Sequence, residues 1–373
     1  MTVLFIIGGL IALVAGGEVL VRGASGLARR FGMSPLIVGL TVVAAATSAP
    51  EFAVTVDASL SGSPGIALGN VVGSNIINVL LILGASAIVL PLAVSSQLVK
   101  ADVPVLIAMS GLTLVLALDG SISRLDGVIL LVLLAAYVAF LIQLTRRRNG
   151  GAAAGAATAP AEADTSPRPL WRNVLLVAVG VGLLVLGARG LVLGATDIAQ
   201  AFGLSDLVIG LTVVAVGTSL PELATSITAA IRGEREMAVG NVAGSNIFNL
   251  GMVLAAAGML SPDGVPVSSG ALELDLPFMV AVALALLPLA FTGFQISRFE
   301  GVVLVGYFVA YTAYLLLDAA GHDALEPFSS VMLLFVVPLT VLWLVFFASF
   351  ELGVRRGRRQ VKEEFDLPLD PAP

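Results

Sequence analysis

The sequence contains no cysteine and only one histidine, His322, among its 373 residues. It therefore cannot form disulfides, thiolate metal sites or a cysteine nucleophile, and a histidine-clustered zinc site is excluded. Charged residues make up only 12% of the chain, whereas a soluble protein carries about 25% because its surface faces water. The net charge of −6 gives no support for nucleic-acid binding.

In place of charge the chain is rich in apolar residues, at 58% of the total and a mean hydropathy of +1.04. A membrane-spanning helix needs about 20 such residues, so most of the chain is accounted for by spans. No room is left for a large extramembrane catalytic domain, and we expect no enzyme activity. We predict an all-α polytopic membrane protein with spans at residues 2–21, 34–60, 66–91, 98–118, 126–145, 171–193, 205–231, 237–260, 274–293, 299–317 and 328–350.

An internal repeat organises these spans. A shift of 171 residues superimposes Ser34 to Asn78 on Ser205 to Asn249 without a gap, with 24 of 45 positions identical. Each half holds five spans, and an odd number forces the second copy to enter the membrane from the opposite side. We therefore predict an inverted 5+5 transmembrane-helix repeat with one additional C-terminal transmembrane helix.

The repeat also divides the chain into regions. The segment between the halves is rich in Ala, Gly and Pro without apolar periodicity, which is typical of a flexible linker. Apart from Arg124 and Arg189, the basic residues fall on one side of the predicted membrane, so we expect the N-terminus outside and the C-terminus in the cytoplasm of a bacterial inner (plasma) membrane. The predicted regions are a first repeat at 1–145, a cytoplasmic linker at 146–170, a second, inverted repeat at 171–317, a loop and extra transmembrane helix at 318–350, and a cytoplasmic tail at 351–373.

Each half carries a Thr-Ser-x-Pro-Glu motif inside a span, at residues 47–51 and 218–222. A carboxylate at membrane depth costs several kcal/mol unless it is paired, hydrated or bound to a cation. No basic residue lies at a comparable depth in either span, so the natural partner of Glu51 and Glu222 is a diffusible cation. The proline of each motif lacks an N–H, so it breaks the helix and frees a backbone carbonyl.

A second motif, Gly-Asn-Val-x-Gly-Ser-Asn-Ile-x-Asn, occupies residues 69–78 and 240–249. Its serine and its last asparagine are four residues apart and therefore share one helix face, while its GxxxG glycines let helices approach closely. Carboxylates, hydroxyls and amides together predict an all-oxygen site suited to a hard cation such as Ca²⁺, not to zinc or copper. Taken singly, each hydroxyl or amide is also consistent with a plain bond between helices. We expect Asp102 and Asp275, near span ends, to be solvated or interfacial.

These paired motifs resemble the two α-repeats of the Ca²⁺/cation antiporter superfamily, specifically its bacterial-type sodium/calcium exchanger family. The resemblance implies a ten-helix fold in which Glu51 and Glu222 are the central Ca²⁺ ligands and also contact Na⁺. It further implies metal ligands at Thr47, Ser48, Thr218 and Ser219, flanking Na⁺ ligands at Ser74 and Ser245, amides at Asn78 and Asn249, and carbonyl ligands at Ala44 and Ala215.

The function implied by the resemblance is secondary-active exchange of Ca²⁺ for Na⁺ by alternating access, with no cofactor and with both ions as substrates. Ca²⁺ and Na⁺ would exclude each other because both use the same two carboxylates. Three features depart from the family: Ala46 stands where the second half has Gly217, Asn249 stands where some members carry an acid, and residues 328–350 add a helix beyond ten. The second departure leaves stoichiometry and proton involvement open.

Other functions remain to be weighed. A Ca²⁺/H⁺ or K⁺-dependent Ca²⁺ antiporter would use the same fold, since a buried glutamate can also exchange protons. An intramembrane aspartyl protease needs paired aspartates, whereas this chain offers paired glutamates. A channel or a scaffold in the membrane needs no repeated buried acids. The oligomeric state is not predicted.

Overall fold

The computed structural model describes residues 2–61, 64–155, 169–201 and 215–364. Within these ranges nine helices are long and apolar enough to cross a membrane, or ten when a helix pair bent by 42° is counted as one span. The helices are α1 Thr2–Phe31, α2 Pro35–Thr47, α3 Ala49–Leu60, α4 Ile66–Val89, α5 Leu98–Asp119, α6 Arg124–Gly155, α7 Leu170–Ala201, α8 Ala215–Thr218, α9 Leu220–Ile231, α10 Arg235–Leu260, α11 Ala271–Phe291, α12 Arg298–Ala319 and α13 Leu325–Val354. The predicted all-α membrane fold is confirmed.

The predicted spans correspond to these helices, with two qualifications. The predicted span 205–231 has its first part, 205–214, outside the described residues, and α8 and α9 form the rest. The helix α6 continues to Gly155, so the first ten residues of the predicted linker are helical. Residues 156–168 of that linker and 365–373 of the predicted tail lie outside the described part of the chain.

Local sequence determines where the helices begin. The Ser34 side chain accepts a hydrogen bond from Ile37 N at 3.3 Å, and Pro35 takes the first helical position, where a missing N–H costs nothing. The helix α12 begins with a capping box in which Ser297 N donates to Glu300 Oε2 at 2.7 Å and Glu300 N donates to Ser297 Oγ at 3.3 Å.

Four two-residue strands connect the halves across both ends of the bundle: β1 Leu92–Ala93, β2 Ser121–Ile122, β3 Val265–Pro266 and β4 Gln295–Ile296. β1 pairs antiparallel with β4, and β2 pairs antiparallel with β3. The membrane-spanning helix α5 separates β1 from β2, so the two strand pairs lie at opposite ends of the molecule. In the second half, β3 holds the position that β1 holds in the first. Since β1 and β3 lie at opposite ends of the molecule, the two halves are inverted relative to each other, and the inverted repeat is confirmed.

The helices α4 and α10 form the centre of the bundle. Their apolar stretches are 78% and 89% buried, whereas that of α13 has no buried residues and lies outermost. The two central helices each contain a π-helical turn, at Asn78–Leu83 and Asn249–Leu254. Such turns within α-helices frequently mark functional sites, and both begin at an asparagine of the predicted ion site.

The GxxxG prediction is met in the second half. A Cβ added to Gly244 would lie 2.7 Å from Leu40 Cα and 2.8 Å from Leu40 O, so only glycine allows α10 to approach α2 this closely. Around Gly69 and Gly73, the described residues place nothing within 4 Å of an added Cβ. The structure therefore demonstrates close packing for the 240/244 pair; the repeat counterparts of Leu36 and Leu40, residues 207 and 211, lie outside the described residues.

Of the expectation that Asp102 and Asp275 are solvated or interfacial, the solvated alternative is wrong for Asp102, which is fully buried. Tyr137 Oη donates to Asp102 Oδ1 at 2.9 Å, and Gln97 Nε2 donates to the other carboxylate oxygen at 3.3 Å. Asp275 is half-buried and accepts a hydrogen bond from Tyr311 Oη at 2.8 Å. Each half therefore closes the start of one span against the next helix through a carboxylate–tyrosine pair.

Candidate ion-binding site

The two predicted carboxylates occupy equivalent places in the two halves. Glu51 lies in the first turn of α3 and Glu222 in the first turn of α9, each directly after a break in the helix. Their exposed fractions are 1% and 0%. Both glutamates are thus enclosed at the ends of short helices inside the bundle, where an anion is costly without a partner.

The breaks come from the motif itself. Ser48 and Ser219 have ψ values of 1° and 7°, outside the helical range, and separate α2 from α3 and α8 from α9. The following proline has no N–H, so the carbonyl four residues earlier, at Ala46 or Gly217, loses its helical donor. Backbone oxygens and the N-terminal turn of a helix are therefore presented together beside each glutamate.

Side chains of the second half reach Glu51 in the first. Ser219 Oγ donates to Glu51 Oε1 at 3.4 Å and lies 3.4 Å from Ser74 Oγ. The other carboxylate oxygen, Glu51 Oε2, is buried, and none of the described residues forms a hydrogen bond with it. This cluster joins three of the predicted ligands, drawn from α3, α4 and the break before α9.

A related cluster forms around Thr47. Its hydroxyl donates to Asn241 Oδ1 at 3.2 Å and lies 3.4 Å from Ser245 Oγ, and both partners are on α10. Thr47 Oγ1 also lies 3.4 Å from the Ala44 carbonyl, which accepts from Ser48 N at 2.9 Å. Hydroxyl and carbonyl oxygens from both halves therefore converge here.

Glu222 is fully enclosed in the same way. Both of its carboxylate oxygens are buried, and the Thr47 side chain of the first half interacts with this carboxylate. The ion pairs of the described residues instead join Glu18 to Arg22 and Arg232, so no arginine compensates either site carboxylate. Two buried carboxylates in this arrangement are compensated either by a bound cation or by protons.

The remaining predicted ligands lie around these clusters. Asn78 and Asn249 are 1% exposed, and each has a buried side-chain oxygen without a partner among residues 2–61, 64–155, 169–201 and 215–364, as does Ser48. Thr218 ends α8 and is partly buried. Ala215 begins α8, and its side chain lies outside the described residues. The structure thus brings together oxygens from Glu51, Ser74 and Ser219, and separately from Thr47 and Ser245.

The donor set suits a hard cation. No cluster of three or more acidic or histidine side chains occurs in the described ranges, so a multi-carboxylate cage is absent there. The site instead combines two carboxylates with hydroxyl, amide and backbone oxygens. Ca²⁺ takes about 6–8 oxygen ligands in flexible geometry, and neutral oxygens can complete such a shell around two charges.

Comparisons with known proteins point to one family. The family model described as sodium/calcium exchanger protein matches residues 1–143 and 172–317. The sodium/calcium exchanger MaX1 of Methanosarcina acetivorans is 33% identical over 338 residues, covering 82% of this chain and 96% of the relative. The chain belongs to the sodium/calcium exchanger family.

Two further relatives extend the agreement to the whole exchanger core. The inner membrane protein YrbG of Escherichia coli is 37% identical over 318 residues, covering 84% of this chain and 96% of YrbG. A solved structure of the sodium-calcium exchanger NCX_Mj superimposes with a TM-score of 0.71 at 33% identity, covering 84% of this chain and 98% of NCX_Mj. This exchanger is therefore an integral membrane cation antiporter, not an enzyme, and it requires no cofactor. Its helix α13 lies beyond the family match.

Four asparagines of the second motif make contacts that the sequence prediction of ligands did not include. Asn70 Nδ2 donates to Thr55 Oγ1 at 2.9 Å and to the Glu51 carbonyl at 3.3 Å. Asn241 Nδ2 makes the equivalent bond to Ser226 Oγ at 2.9 Å. The other two, Asn75 and Asn246, bond across the centre of the bundle. Their recurrence at the 171-residue offset was the available clue.

Proposed function

We propose that this exchanger moves Ca²⁺ against Na⁺ by alternating access. The ligands would be Glu51, Glu222, Thr47, Ser48, Thr218, Ser219, Ser74, Asn78, Ser245, Asn249, and the carbonyls of Ala44 and Ala215. The observation that carries the proposal is the pair of buried glutamates, Glu51 and Glu222, neither of which forms an ion pair with a basic side chain of the described residues.

Competition between the ions follows from this arrangement. One Ca²⁺ neutralises both carboxylates, and Na⁺ ions can do the same only by occupying the same oxygens. Either cargo therefore displaces the other, and movement of the loaded protein couples the two gradients. The relatives named as sodium/calcium exchangers support the choice of ions.

Two features guide the choice of coupling ion. Both central amide positions, Asn78 and Asn249, are uncharged, so the described site holds two formal negative charges from Glu51 and Glu222. Hydroxyl and carbonyl oxygens beside these carboxylates are ligands for Na⁺ as well as for Ca²⁺. Coupling to H⁺ would place the exchanged protons on the carboxylates, and the surrounding oxygens would then serve Ca²⁺ alone.

The orientation proposed for the exchanger places the N-terminus outside and the C-terminus in the cytoplasm of the bacterial inner membrane. It rests on the asymmetric placement of arginine and lysine between spans. Glu18 of α1 forms ion pairs with Arg22 of the same helix and with Arg232 in the connection between α9 and α10, so these two arginines lie on the same side of the molecule.

The test is calcium flux into proteoliposomes under an imposed Na⁺, H⁺ or K⁺ gradient. We expect uptake under the Na⁺ gradient alone, and loss of that uptake in Glu51→Gln and in Glu222→Gln. The control is Glu326→Gln, an exposed residue of α13, which should transport at the native rate. Uptake driven only by a pH gradient would establish H⁺ coupling, and a K⁺ requirement would establish K⁺-dependent exchange. Native flux in both glutamine variants would refute the assignment of the site.

A further inference from the structure

Four asparagines form a closed arrangement where α4 crosses α10. Asn75 Nδ2 donates to the Asn246 carbonyl at 3.3 Å, and Asn246 Nδ2 donates to the Asn75 carbonyl at 3.3 Å. Asn78 Nδ2 donates to Asn246 Oδ1 at 2.9 Å, and Asn249 Nδ2 donates to Asn75 Oδ1 at 3.1 Å. All four are at most 2% exposed. Each half therefore supplies one asparagine that donates to a backbone carbonyl of the other half and one that donates to an asparagine side chain of the other half.

These bonds determine which way each amide points. A backbone carbonyl can only accept, so the atom of Asn75 facing the Asn246 carbonyl must be its NH₂ group. The oxygen of Asn75 then faces Asn249 and can only accept, so Asn249 must present its own NH₂ group to it. The oxygen of Asn249 is left pointing elsewhere. By the same reasoning, the NH₂ group of Asn246 faces the Asn75 carbonyl and the Asn246 oxygen accepts from the NH₂ group of Asn78. The oxygen of Asn78 therefore also points elsewhere.

The side-chain oxygens of Asn78 and Asn249 are not used in these bonds, and such oxygens are ligands for a cation. Asn78 Oδ1 and Asn249 Oδ1 are buried and have no hydrogen-bond partner in the part of the chain that the structure describes, as expected if their partner is an ion. Both residues begin the π-helical turns of their helices. A rotated amide would instead present an NH₂ group, whose partial positive charge repels a cation.

We propose that Asn75 and Asn246 are positioning residues that hold the carboxamide oxygens of Asn249 and Asn78 toward the transported cation. This role rests on the proposed function, in which Asn78 and Asn249 are ligands, and adds two residues that do not touch the ion. Groups that orient metal ligands from outside the coordination shell typically change metal affinity by about 10–100-fold when they are replaced.

The test is a double-mutant cycle read as the half-saturating Ca²⁺ concentration and the maximal rate of Na⁺-driven flux. Asn75→Leu removes the acceptor that orients Asn249, and we expect the half-saturating Ca²⁺ to rise about 10–100-fold with a smaller change in maximal rate. Asn249→Asp supplies an oxygen in either rotamer, so orientation no longer matters. In that background Asn75→Leu should change half-saturation by less than about twofold, within ordinary additivity.

A matched control is Asn173→Leu, the same substitution at a buried asparagine of α7, which should leave Ca²⁺ half-saturation unchanged. If Asn75→Leu does not fold, Asn246→Leu with Asn78→Asp repeats the cycle in the other half. An equal effect of Asn75→Leu in both backgrounds would mean plain packing and would overturn the inference. Absence of Na⁺-driven flux in the unmodified protein would instead refute the proposed function.

Discussion

Replacing Gly244 with alanine tests whether close helix packing holds the ion site in place. The added Cβ would lie 2.7 Å from both Ala44 Cβ and Leu40 Cα. Carbon atoms pack at about 3.5–4.0 Å, so α10 and α2 must separate by about 0.8 Å or more. Backbone atoms of Leu40 are among the contacts, and a side-chain rotation cannot relieve them.

The site is affected because Thr47 and its two partners lie on either side of this crossing. The distances from Thr47 Oγ1 to Asn241 Oδ1 and to Ser245 Oγ, 3.2 and 3.4 Å, would lengthen to about 4 Å, beyond hydrogen-bonding range. Overpacking typically costs about 1–3 kcal/mol, and each lost hydrogen bond adds about 1 kcal/mol. We therefore expect a lower melting temperature and a rise in half-saturating Ca²⁺ of roughly tenfold, equivalent to about 1.4 kcal/mol.

The assay is thermal unfolding in detergent together with Na⁺-driven Ca²⁺ flux in proteoliposomes. Gly306→Ala is the control, since Gly306 is an exposed glycine inside α12 with nothing within 4 Å of an added Cβ. It should melt at or slightly above the native temperature, because alanine favours helix over glycine. Native melting and native Ca²⁺ affinity in Gly244→Ala would refute the reasoning from helix separation.

Three further predictions concern the frame around the site. Tyr137→Phe removes a donor to the buried Asp102 carboxylate and should destabilise the protein by about 1–3 kcal/mol, measured by thermal unfolding against the native chain. Truncation after Ala319 removes α13, which lies beyond the family match, so we expect Na⁺-driven Ca²⁺ flux to persist, and its loss would give that helix a role in transport. Ser297→Ala removes the capping box with Glu300 and should cost about 1 kcal/mol without altering Ca²⁺ half-saturation.

The membrane fold could be predicted from the sequence because lipid makes severe demands on composition. Apolar runs of about 20 residues are typical of membrane spans. Aligning the sequence with itself at an offset of 171 residues shows the repeat directly. The two glutamates were identifiable for the same reason, since an acid inside an apolar run is costly unless a partner compensates its charge. These features depend on local sequence or on a fixed register, and both can be read without coordinates.

Contacts between distant segments could not be predicted in this way. Asp102 lies near a span end, where an acid usually meets water, but Tyr137, 35 residues later, closes over it. The roles of Asn75 and Asn246 depend on how closely α4 and α10 cross, and the distance between two helices cannot be predicted from hydropathy. Strands of two residues are too short to show the alternation that identifies a strand.

The two strand pairs have a consequence for how the halves depend on each other. At both ends of the bundle, a loop of the first half is hydrogen-bonded to a loop of the second, and the asparagines do the same in the middle. The covalent connection through residues 156–168 is therefore one of several ties between the halves. The proposed site is also divided between the halves, since Ser219 of the second half bonds Glu51 of the first and Thr47 of the first bonds Asn241 of the second. The two halves of the exchanger therefore depend on each other's contacts, as the two protomers of an obligate dimer do, although they belong to one chain.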